Sequence, residues 1–375
     1  MHGECKTPGG KLIAIDYEIE AGRLARVRLS GDFFIHPEPQ AASVLAHLQQ
    51  ALEGQQAHLS FSEWKARLDA VLPWEVELQG TSTSALAVAL CRAQGNPLDL
   101  AAAIVPPPAY SAMEVEQLLQ PWRQQTWHIL PEVALPAALN VALDEVLCRQ
   151  VATGGRPATL RFWKWSEQAV ILGRCQSVLN EVDVEAARSL RIQIVRRMTG
   201  GGAMFLQPEG AITYSLYLPE KLLGGIPLRQ SYQVCENWVI EALRQLGLDA
   251  FHAPLNDIAC SMGKIGGAAQ ARRQGVVLHH TTMAYDMDPG DMVRVLRIGR
   301  EKLSDKPAVA SAAKRVSPIA RQTGKSREET VQHLLQYFRT AFGGTLETLQ
   351  PGELAAAREL VQTKYGTTEW TCEIN

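Results

Sequence analysis

The stretch Arg196-Arg197-Met198-Thr199-Gly200-Gly201-Gly202-Ala203-Met204-Phe205 follows a short apolar run, 192–195, that predicts a strand. Three consecutive glycines bring no side chain to pack, and they cost backbone entropy. They do allow the backbone to approach a ligand closely and to point several N–H groups at an anion. Because guanidinium is a fork-shaped partner of phosphate and carboxylate, the two arginines favour a loop that wraps an anionic ligand, such as a nucleotide. A glycine-rich hairpin corner with two solvated arginines is the alternative interpretation.

A second stretch places one lysine among small residues. Asn256-Asp257-Ile258 is followed by Gly263-Lys264-Ile265-Gly266-Gly267-Ala268-Ala269-Gln270. Without competing side chains, the ammonium of Lys264 can come close to a phosphate or carboxylate oxygen and act as a compact positive charge. An ordinary exposed lysine in a turn is the alternative.

Together the two stretches resemble the lipoate-protein ligase family. The family pattern is an Arg-Arg-x-Ser/Thr-Gly-Gly-Gly-Ala-x-Phe loop, then Asn-Asp, then Lys-x-x-Gly-Ser/Ala-Ala, then His-Gly or His-His, and this chain has these motifs in the same order. Leu160-Arg161-Phe162-Trp163 and the segment 170–177 are similar to the first strands of the family. The resemblance covers residues 124–345.

The resemblance implies ligation of lipoate to a lysine in two steps. Lipoate attacks the α-phosphorus of ATP, pyrophosphate leaves, and the lysine of an acceptor protein then displaces AMP from lipoyl-AMP. Lys264 is the implied catalytic residue, and Asp257 is the implied Mg²⁺ ligand, since a hard cation prefers oxygen ligands beside phosphates. The other residues implied to bind ATP or the adenylate are Arg197, Gly201, Gly202, Ala203, Met204, Phe205, Arg174 and Asn256.

The resemblance also divides the chain. We expect an accessory domain over 1–95, a linker over 96–123, a catalytic domain with a mixed sheet over 124–345, and a C-terminal helix and tail over 346–375. The accessory domain is implied by the motifs Gly3-Glu4-x-Lys6-x-Pro8-Gly9-Gly10-Lys11-Leu12 and Ser30-Gly31-Asp32-Phe33-Phe34, and in the family it is needed for activation, not for transfer. Whether Lys6 and Lys11 reach the ligand or are solvated stays open.

Hydrophobic periodicity and cap signals predict an α+β fold, because strands and helices mix without strict alternation. The predicted strands cover 11–17, 24–30, 126–130, 159–165, 170–173, 192–195, 211–218 and 275–286. The predicted helices cover 41–52, 63–72, 82–93, 114–122, 137–151, 182–190, 231–246, 292–297, 326–342 and 353–362. The N-terminal strands are expected to form a two-stranded hairpin that docks on the rest of the chain.

Composition excludes several classes of function. The 375 residues carry a net charge of −2, which does not suggest a general nucleic-acid binder. No apolar run approaches membrane length, and the N-terminus lacks the apolar core of a signal peptide, so we expect a cytoplasmic protein. The seven cysteines include no Cys-x-x-Cys pair, which argues against a disulfide framework or a zinc knuckle.

Some residues depart from the family or invite other interpretations. Leu206-Gln207 stand where the family usually has His-Asp. His279-His280 replace the usual His-Gly, and adjacent strand residues point to opposite faces, so a shared metal ion is not expected. Asp144-Glu145 on a helix are expected to be solvated. Trp163, Val170 and Phe205 either line the acyl slot or belong to the core.

Three functions remain open from the sequence. The first is an ATP-dependent ligase. The second is an ATP-independent octanoyl- or lipoyl-transferase, which carries a nucleophilic cysteine about fourteen residues before the lysine, where this chain has Asp249-Ala250. The third is a non-catalytic protein that binds lipoyl-adenylate or a lipoyl domain. The acceptor is a dehydrogenase acyltransferase, the glycine-cleavage H protein or a sulfur-oxidation lipoate-binding protein, and the fused N-terminal domain most resembles ligases associated with the last.

Overall fold

The described part of the chain is a mixture of strands and helices, and it confirms the α+β class. The computed structural model describes residues 1–7, 11–31, 33–36, 41–73, 76–95, 109–287, 289–298, 303 and 315–374. The Pro8-Gly9-Gly10 part of the N-terminal motif and residues 96–108 of the expected linker lie outside the described residues.

The N-terminal unit contains two small sheets and three helices within its described residues. Its strands are β1 (His2–Lys6), β2 (Leu12–Glu20), β3 (Arg23–Gly31), β4 (Phe34–His36) and β5 (Glu77–Gln79), and its helices are α1 (Ala41–Leu52), α2 (Phe61–Val71) and α3 (Thr83–Ala93). The predicted hairpin of β2 and β3 is present, with its turn at Ala21 and Gly22. The prediction of only two strands is wrong, because β1 adds to β2 in antiparallel register.

Helix α3 explains how β1 is held in place. Nearly every residue of α3 is buried, and the helix lies directly against β1. A Cβ atom at Gly3 would lie only 2.0 Å from the carbonyl oxygen of Ala89, so strand and helix backbones are in close contact there. The same hydrophobic core includes Cys175, from a later part of the chain, so the N-terminal unit packs on the larger part of the protein.

The remaining strands and helices build the larger part of the protein. Its strands are β6 (Trp127–Leu130), β7 (Ala134–Leu135), β8 (Ala158–Trp165), β9 (Ala169–Leu172), β10 (Gln193–Arg196), β11 (Met204–Leu206), β12 (Ala211–Pro219), β13 (Phe251–Ala253), β14 (Asp257–Cys260), β15 (Gly263–Arg273), β16 (Val276–Ala284) and β17 (Thr345–Leu346). Its helices are α4 (Ala112–Arg123), α5 (Ala137–Ala152), α6 (Val178–Glu181), α7 (Val184–Ser189), α8 (Leu228–Gln245), α9 (Pro289–Val295), α10 (Ile319–Thr323), α11 (Arg327–Phe342), α12 (Pro351–Leu360) and α13 (Thr368–Thr371), with a 3₁₀ turn over Glu220–Leu223 and a π turn over Val361–Tyr365.

One large mixed sheet organises these elements. Its strands run in the order β13-β14-β15-β16-β12-β8-β6-β17, with β7 also paired to β8. A smaller sheet has the order β10-β9-β11. Helices α4, α8 and α11 cover the face of the large sheet that carries Phe162 and Tyr214, whereas α5 lies over the face that carries Trp163 and Tyr217. The sheet is therefore buried on both faces where the central strands lie.

Most of the predicted elements are present within a few residues of their expected bounds. Capping boxes form at Ser60 and Ser326, with Glu63 and Glu329 as their acidic partners, and they account for the cap signals in the sequence. Strand β15 was not predicted, because its glycine- and alanine-rich sequence shows no alternation of apolar and polar residues. Within the described residues, no helix is long and apolar enough to cross a membrane.

The expected exposure of Asp144 and Glu145 is wrong. Both side chains of this helical pair are buried, with 2% and 9% of their surface exposed. Asp144 accepts hydrogen bonds from Ser215 and Tyr217 on β12, and Glu145 accepts from Lys364 and Tyr365 in the C-terminal segment. Strand β12 therefore supplies the donors on one side of the helix, and the C-terminal segment supplies them on the other. The sequence of the helix alone does not show these donors.

A buried ion pair anchors the C-terminal helix α12. The guanidinium of Arg156 meets both carboxylate oxygens of Glu353, and the two side chains are 1% and 2% exposed. Arg156 also donates to the carbonyl of Thr348 at 2.8 Å. The pair therefore fixes the segment after α11 to the edge of the sheet.

We expect Glu353→Gln to lower the free energy of unfolding by about 3–5 kcal/mol, because it leaves the Arg156 charge buried without a counter-ion. Urea unfolding of the variant and the wild type measures the difference. Glu185→Gln is the matched control: it breaks the exposed pair with Arg188 and should change stability by less than about 0.5 kcal/mol. Equal effects of the two substitutions would contradict the anchoring role.

A pH-dependent contribution is expected from Glu145. Burial alone would raise its pKa, but hydrogen bonds from Lys364 and Tyr365 outweigh burial and the pKa lies below its usual value of 4.5. The stabilisation is therefore present above pH 4.5 and is lost as pH falls through the lower folded-state pKa. Thermal unfolding should show Glu145→Gln less stable than wild type at pH 7, with a gap that narrows below pH 4.5. A gap that widens on acidification would contradict this assignment.

Candidate functional site

A cavity of about 190 Å³ opens between the glycine loop 200–204, strands β14 to β16, residue Met287 and the segment 292–298. Its polar lining consists of Lys11, Arg197, Asn256, Asp257, Lys264, His280 and Thr282. Its apolar lining includes Phe205, Met287, Met292, Leu296, Ile298 and Val316. Phe205, Met287, Met292, Leu296 and Ile298 belong to one hydrophobic cluster, so the apolar side chains of the lining are grouped together. Such a cavity suits a ligand with an apolar chain and an anionic group.

Lys264 and Asp257 form an ion pair in this cavity. The Lys264 Nζ lies 2.9 Å from the Asp257 Oδ1, and the lysine side chain is 31% exposed. A bulge in the pairing of β14 with β15 sets this geometry, since Ile258 pairs with Gly266 while Ala259 pairs with Lys264. A Cβ atom at Gly267 would lie 2.6 Å from the Lys264 Nζ, so glycine at this position gives the ammonium its room. The small residues around Lys264 thus leave space for its ammonium, as the sequence predicts.

The backbone of Lys264 is held from the opposite side by the segment 315–317. Its N–H donates to the carbonyl of Arg315 at 2.8 Å, and its carbonyl accepts from the N–H of Ser317 at 2.8 Å. Val316 between them lines the cavity. The start of β15 is therefore fixed on two sides, and the lysine is presented from a rigid backbone.

Asn256 offers a buried oxygen to the cavity. Its Nδ2 donates to the carbonyl of Ala268, while its Oδ1 has no hydrogen-bond partner among the described residues. A buried amide oxygen without a partner costs free energy unless a ligand group or ion satisfies it. No cluster of three or more metal-ligating side chains exists in the described chain, so a Mg²⁺ ion would depend on Asp257, Asn256 and the oxygens of a phosphate.

Arg197 shapes the glycine loop from within. Its Nε donates to the Thr199 Oγ1 at 2.9 Å, its Nη1 to the carbonyl of Ile171 at 3.0 Å, and its Nη2 to the carbonyl of Gly202 at 2.9 Å. The side chain is buried and also lines the cavity. Arg197 therefore fixes the loop that carries the N–H groups, in addition to placing its charge beside the cavity.

A buried hydrogen-bond network supports the same loop. Thr199 Oγ1 lies 2.8 Å from the His280 Nε2, and the His280 Nδ1 lies 2.8 Å from the Asp144 Oδ2. Because Asp144 also accepts from Ser215 and Tyr217, its carboxylate is well satisfied and orients the imidazole. The sequence analysis did not identify Asp144 as a site residue. The only feature that could have indicated it is a carboxylate on the face of α5 that packs against the sheet.

The two histidines of β16 have separate surroundings, as predicted from their opposite faces. His279 lies 2.9 Å from the Gln270 amide nitrogen and 3.0 Å from the Thr281 hydroxyl, whereas His280 faces the cavity. Burial lowers the pKa of His279 well below its usual value. Each imidazole therefore contacts its own set of side chains.

Arg174 and Arg196 are directed to the C-terminal segment. Arg174 pairs with Glu373, and its guanidinium lies 4.4 Å from the centre of the Trp370 ring. Arg196 is fully buried and donates to carbonyl groups that include Gly173 and Thr371, at 2.9 Å and 2.7 Å. Burial, followed by the neighbouring Arg174, lowers the pKa of Arg196 to about 10. In this arrangement Arg174, implied by the resemblance to bind the cofactor, contacts the C-terminal tail from just after the end of β9.

The remaining sequence candidates fall into two groups. Gly201, Gly202, Ala203, Met204 and Phe205 all line the cavity together with Lys264, Asp257 and Asn256. Trp163 and Val170 are buried in hydrophobic clusters instead, and the Trp163 indole donates to Ser215. Lys11, whose role the sequence left open, is brought to the cavity by the N-terminal unit.

Comparison with known proteins shows the family to which the chain belongs. Residues 136–343 match the family model of the lipoyl protein ligase A/B catalytic domain. The octanoyltransferase LipM of Symbiobacterium thermophilum is 30% identical over 276 residues, covering 66% of this chain and 98% of that protein. The octanoyltransferase LipM of Kyrpidia tusciae is also 30% identical, over 281 residues, covering 66% of this chain and 98% of that protein.

Solved structures show the same fold. A putative lipoate protein ligase from T. acidophilum, with bound lipoic acid, is 26% identical with a TM-score of 0.55, covering 66% of this chain and 99% of that chain. A lipoate-protein ligase A bound with ATP is 26% identical, with a TM-score of 0.56. The match covers 67% of this chain and 100% of that chain. With the family model covering more than half of its residues, the chain belongs to the lipoyl protein ligase A/B catalytic domain family.

Proposed function

We propose that the protein is an ATP-dependent lipoate-protein ligase. The observation that carries the proposal is a single cavity in which the Lys264–Asp257 pair, the buried Asn256 oxygen and the glycine loop adjoin an apolar lining. Support also comes from the solved neighbours, of which one holds lipoic acid and another holds ATP.

In the first step, a carboxylate oxygen of lipoate bonds to the α-phosphorus of ATP, and the bond to the departing pyrophosphate breaks. Lys264 stabilises the negative charge that builds on the phosphate and acyl oxygens, and the N–H groups of the loop 201–204 act as preorganised donors. Phe205, Met292 and Leu296 hold the acyl chain and exclude water. Asp257 and Asn256 would hold Mg²⁺, which supplies neutralisation of phosphate charge when bound.

In the second step, the amine of the acceptor lysine attacks the acyl carbon, AMP leaves, and the amine loses a proton. The same Lys264 ammonium faces the acyl oxygen in both steps, because both reactions take place at the same carboxyl carbon and the same α-phosphate. The acceptor is a lipoyl-accepting protein domain, of a dehydrogenase acyltransferase, the glycine-cleavage H protein or a sulfur-oxidation lipoate-binding protein. Residues 1–95 would serve as the accessory domain of this ligase.

A second candidate is ATP-independent octanoyl transfer, and the curated relatives, named octanoyltransferases, favour it. This chemistry needs a nucleophile that forms a thioester with the acyl group. Among the described cavity-lining residues there is no cysteine. Ala250 is buried in the main core, and the Cys260 thiol is buried and directed to the carbonyl of Gly263 at 3.5 Å. The side chains at the site thus favour adenylation, whereas the sequence relatives favour transfer.

The ligase proposal predicts lipoate-dependent exchange of labelled pyrophosphate into ATP. Lys264→Ala should lower the exchange rate at least about a hundredfold, because it removes a charge that stabilises the transition state directly. Lys221→Ala, on the 3₁₀ turn and exposed, is the control and should leave exchange unchanged. Absence of exchange in the wild type would exclude the ligase.

The transferase candidate is tested by incubation with an octanoyl-carrier protein and a lipoyl-accepting domain without ATP. We expect no transfer, and we expect Cys260→Ser to retain the ATP-dependent activity within about twofold, because a buried thiol acts as a small apolar group. Octanoyl transfer that disappears in Cys260→Ser would establish the transferase instead. Neither activity, with lipoyl-AMP still bound, would indicate a binding protein.

A further inference from the structure

We infer that Lys11, from the N-terminal unit, is a phosphate-binding residue for ATP in this cavity. This inference rests on the proposed function and assigns part of the substrate site to a separate unit of the fold. Lys11 lines the same cavity as Lys264, Asp257 and Arg197, although about 190 residues or more of sequence separate it from the glycine loop and the Lys264 strand.

The position of Lys11 is built by the backbone around it. Its N–H donates to the carbonyl of Gly80 at 2.5 Å, and its carbonyl accepts from the N–H of Thr7 at 3.2 Å. Both contacts come from the N-terminal unit, so the lysine is fixed at the start of β2. With only 6% of its surface exposed, it is not a solvated lysine.

Gly80 opens the path that the lysine side chain takes. Its φ of +81° favours glycine, and a Cβ atom there would lie 2.4 Å from the Lys11 Cγ and 3.4 Å from the Leu255 Cδ2. The aliphatic stem of Lys11 therefore occupies the space that a side chain at Gly80 would fill, and Leu255 borders the same space. Leu255 immediately precedes Asn256 and Asp257, so the stem lies near the residues that would hold Mg²⁺ beside the phosphates.

The charge balance of the cavity favours an anion with several charges. Its described lining carries three cations, Lys11, Arg197 and Lys264, against one carboxylate, Asp257. A triphosphate brings more negative charge to this lining than a carboxylic acid or an adenylate does, so it is attracted more strongly. Lys11 thus contributes most when ATP is bound, and less once pyrophosphate has left.

Lys6 provides a matched comparison. It lies in the same N-terminal motif, at the end of β1, but its side chain is exposed. The sequence leaves open whether each lysine reaches the ligand or is solvated. Lys11 has the first role in this inference, and Lys6 has the second.

The test compares Lys11→Met with Lys6→Met in the full-length protein. Methionine keeps an unbranched apolar stem at position 11 and removes the charge. Lys11→Met should weaken ATP binding measured by calorimetry, and slow lipoate-dependent pyrophosphate exchange, by about tenfold or more, the effect of one lost charged hydrogen bond. Transfer from preformed lipoyl-AMP to a lipoyl-accepting domain should stay within about threefold of wild type, because the adenylate carries fewer charges. Lys6→Met should change none of the three.

The outcomes separate this inference from the proposed function. ATP binding and exchange by Lys11→Met within about twofold of wild type would overturn the role of Lys11 while leaving the ligase intact. Equal loss of transfer from preformed lipoyl-AMP would also overturn it, because the lysine would then act on the fold or on the adenylate. If the wild type binds ATP but does not exchange, the ligase fails, and the binding constants still decide on Lys11. If the wild type binds no ATP, both fail.

Discussion

The Thr199 hydroxyl is the contact on which the site depends, because it joins the buried Arg197 guanidinium to the buried His280 imidazole, which comes from a distant part of the chain. Arg197 donates to its oxygen at 2.9 Å, and the His280 imidazole lies 2.8 Å away with Asp144 behind it. The chain of contacts connects helix α5, strand β16 and the glycine loop. Since the groups are buried, each bond is stronger than it would be in water, and each loss would leave an unsatisfied polar atom. The loop is therefore held in one conformation before any ligand binds.

The second requirement of the site is room for the backbone and for lysine stems. A Cβ atom at Gly173 would lie 2.0 Å from the carbonyl of Gly201, and one at Gly267 would meet the Lys264 ammonium. Gly80 does the same for Lys11. At all three positions glycine has no side chain, so a neighbouring group can occupy the space that a Cβ atom would fill. The C-terminal segment packs beside these residues. Arg196 binds it through the carbonyl of Thr371, and Arg174 binds it through Trp370 and Glu373.

Much of the fold follows from local patterns, and the misses have definite physical causes. Helices with capping boxes and apolar stripes, such as α2 and α11, were predicted because the stabilising contacts lie within a few residues. Strand β15 was missed because glycine and alanine carry no periodic signal, and its register depends on β14 and β16. The burial of Asp144 and Glu145 was missed because their donors are more than 70 residues away in the chain.

The sequence by itself determined the family motifs, the α+β class and the residues gathered around the cavity: the glycine loop, Asn256, Asp257 and Lys264. These signals are local, since a glycine run or a lysine among small residues expresses its chemistry within one short segment. The tertiary structure alone decided which charges meet. It placed Lys11 in the cavity, directed Arg174 to the tail, and joined His280 to Asp144. Contacts of this kind depend on how sheets and helices pack over long separations in the chain, and no local pattern encodes them.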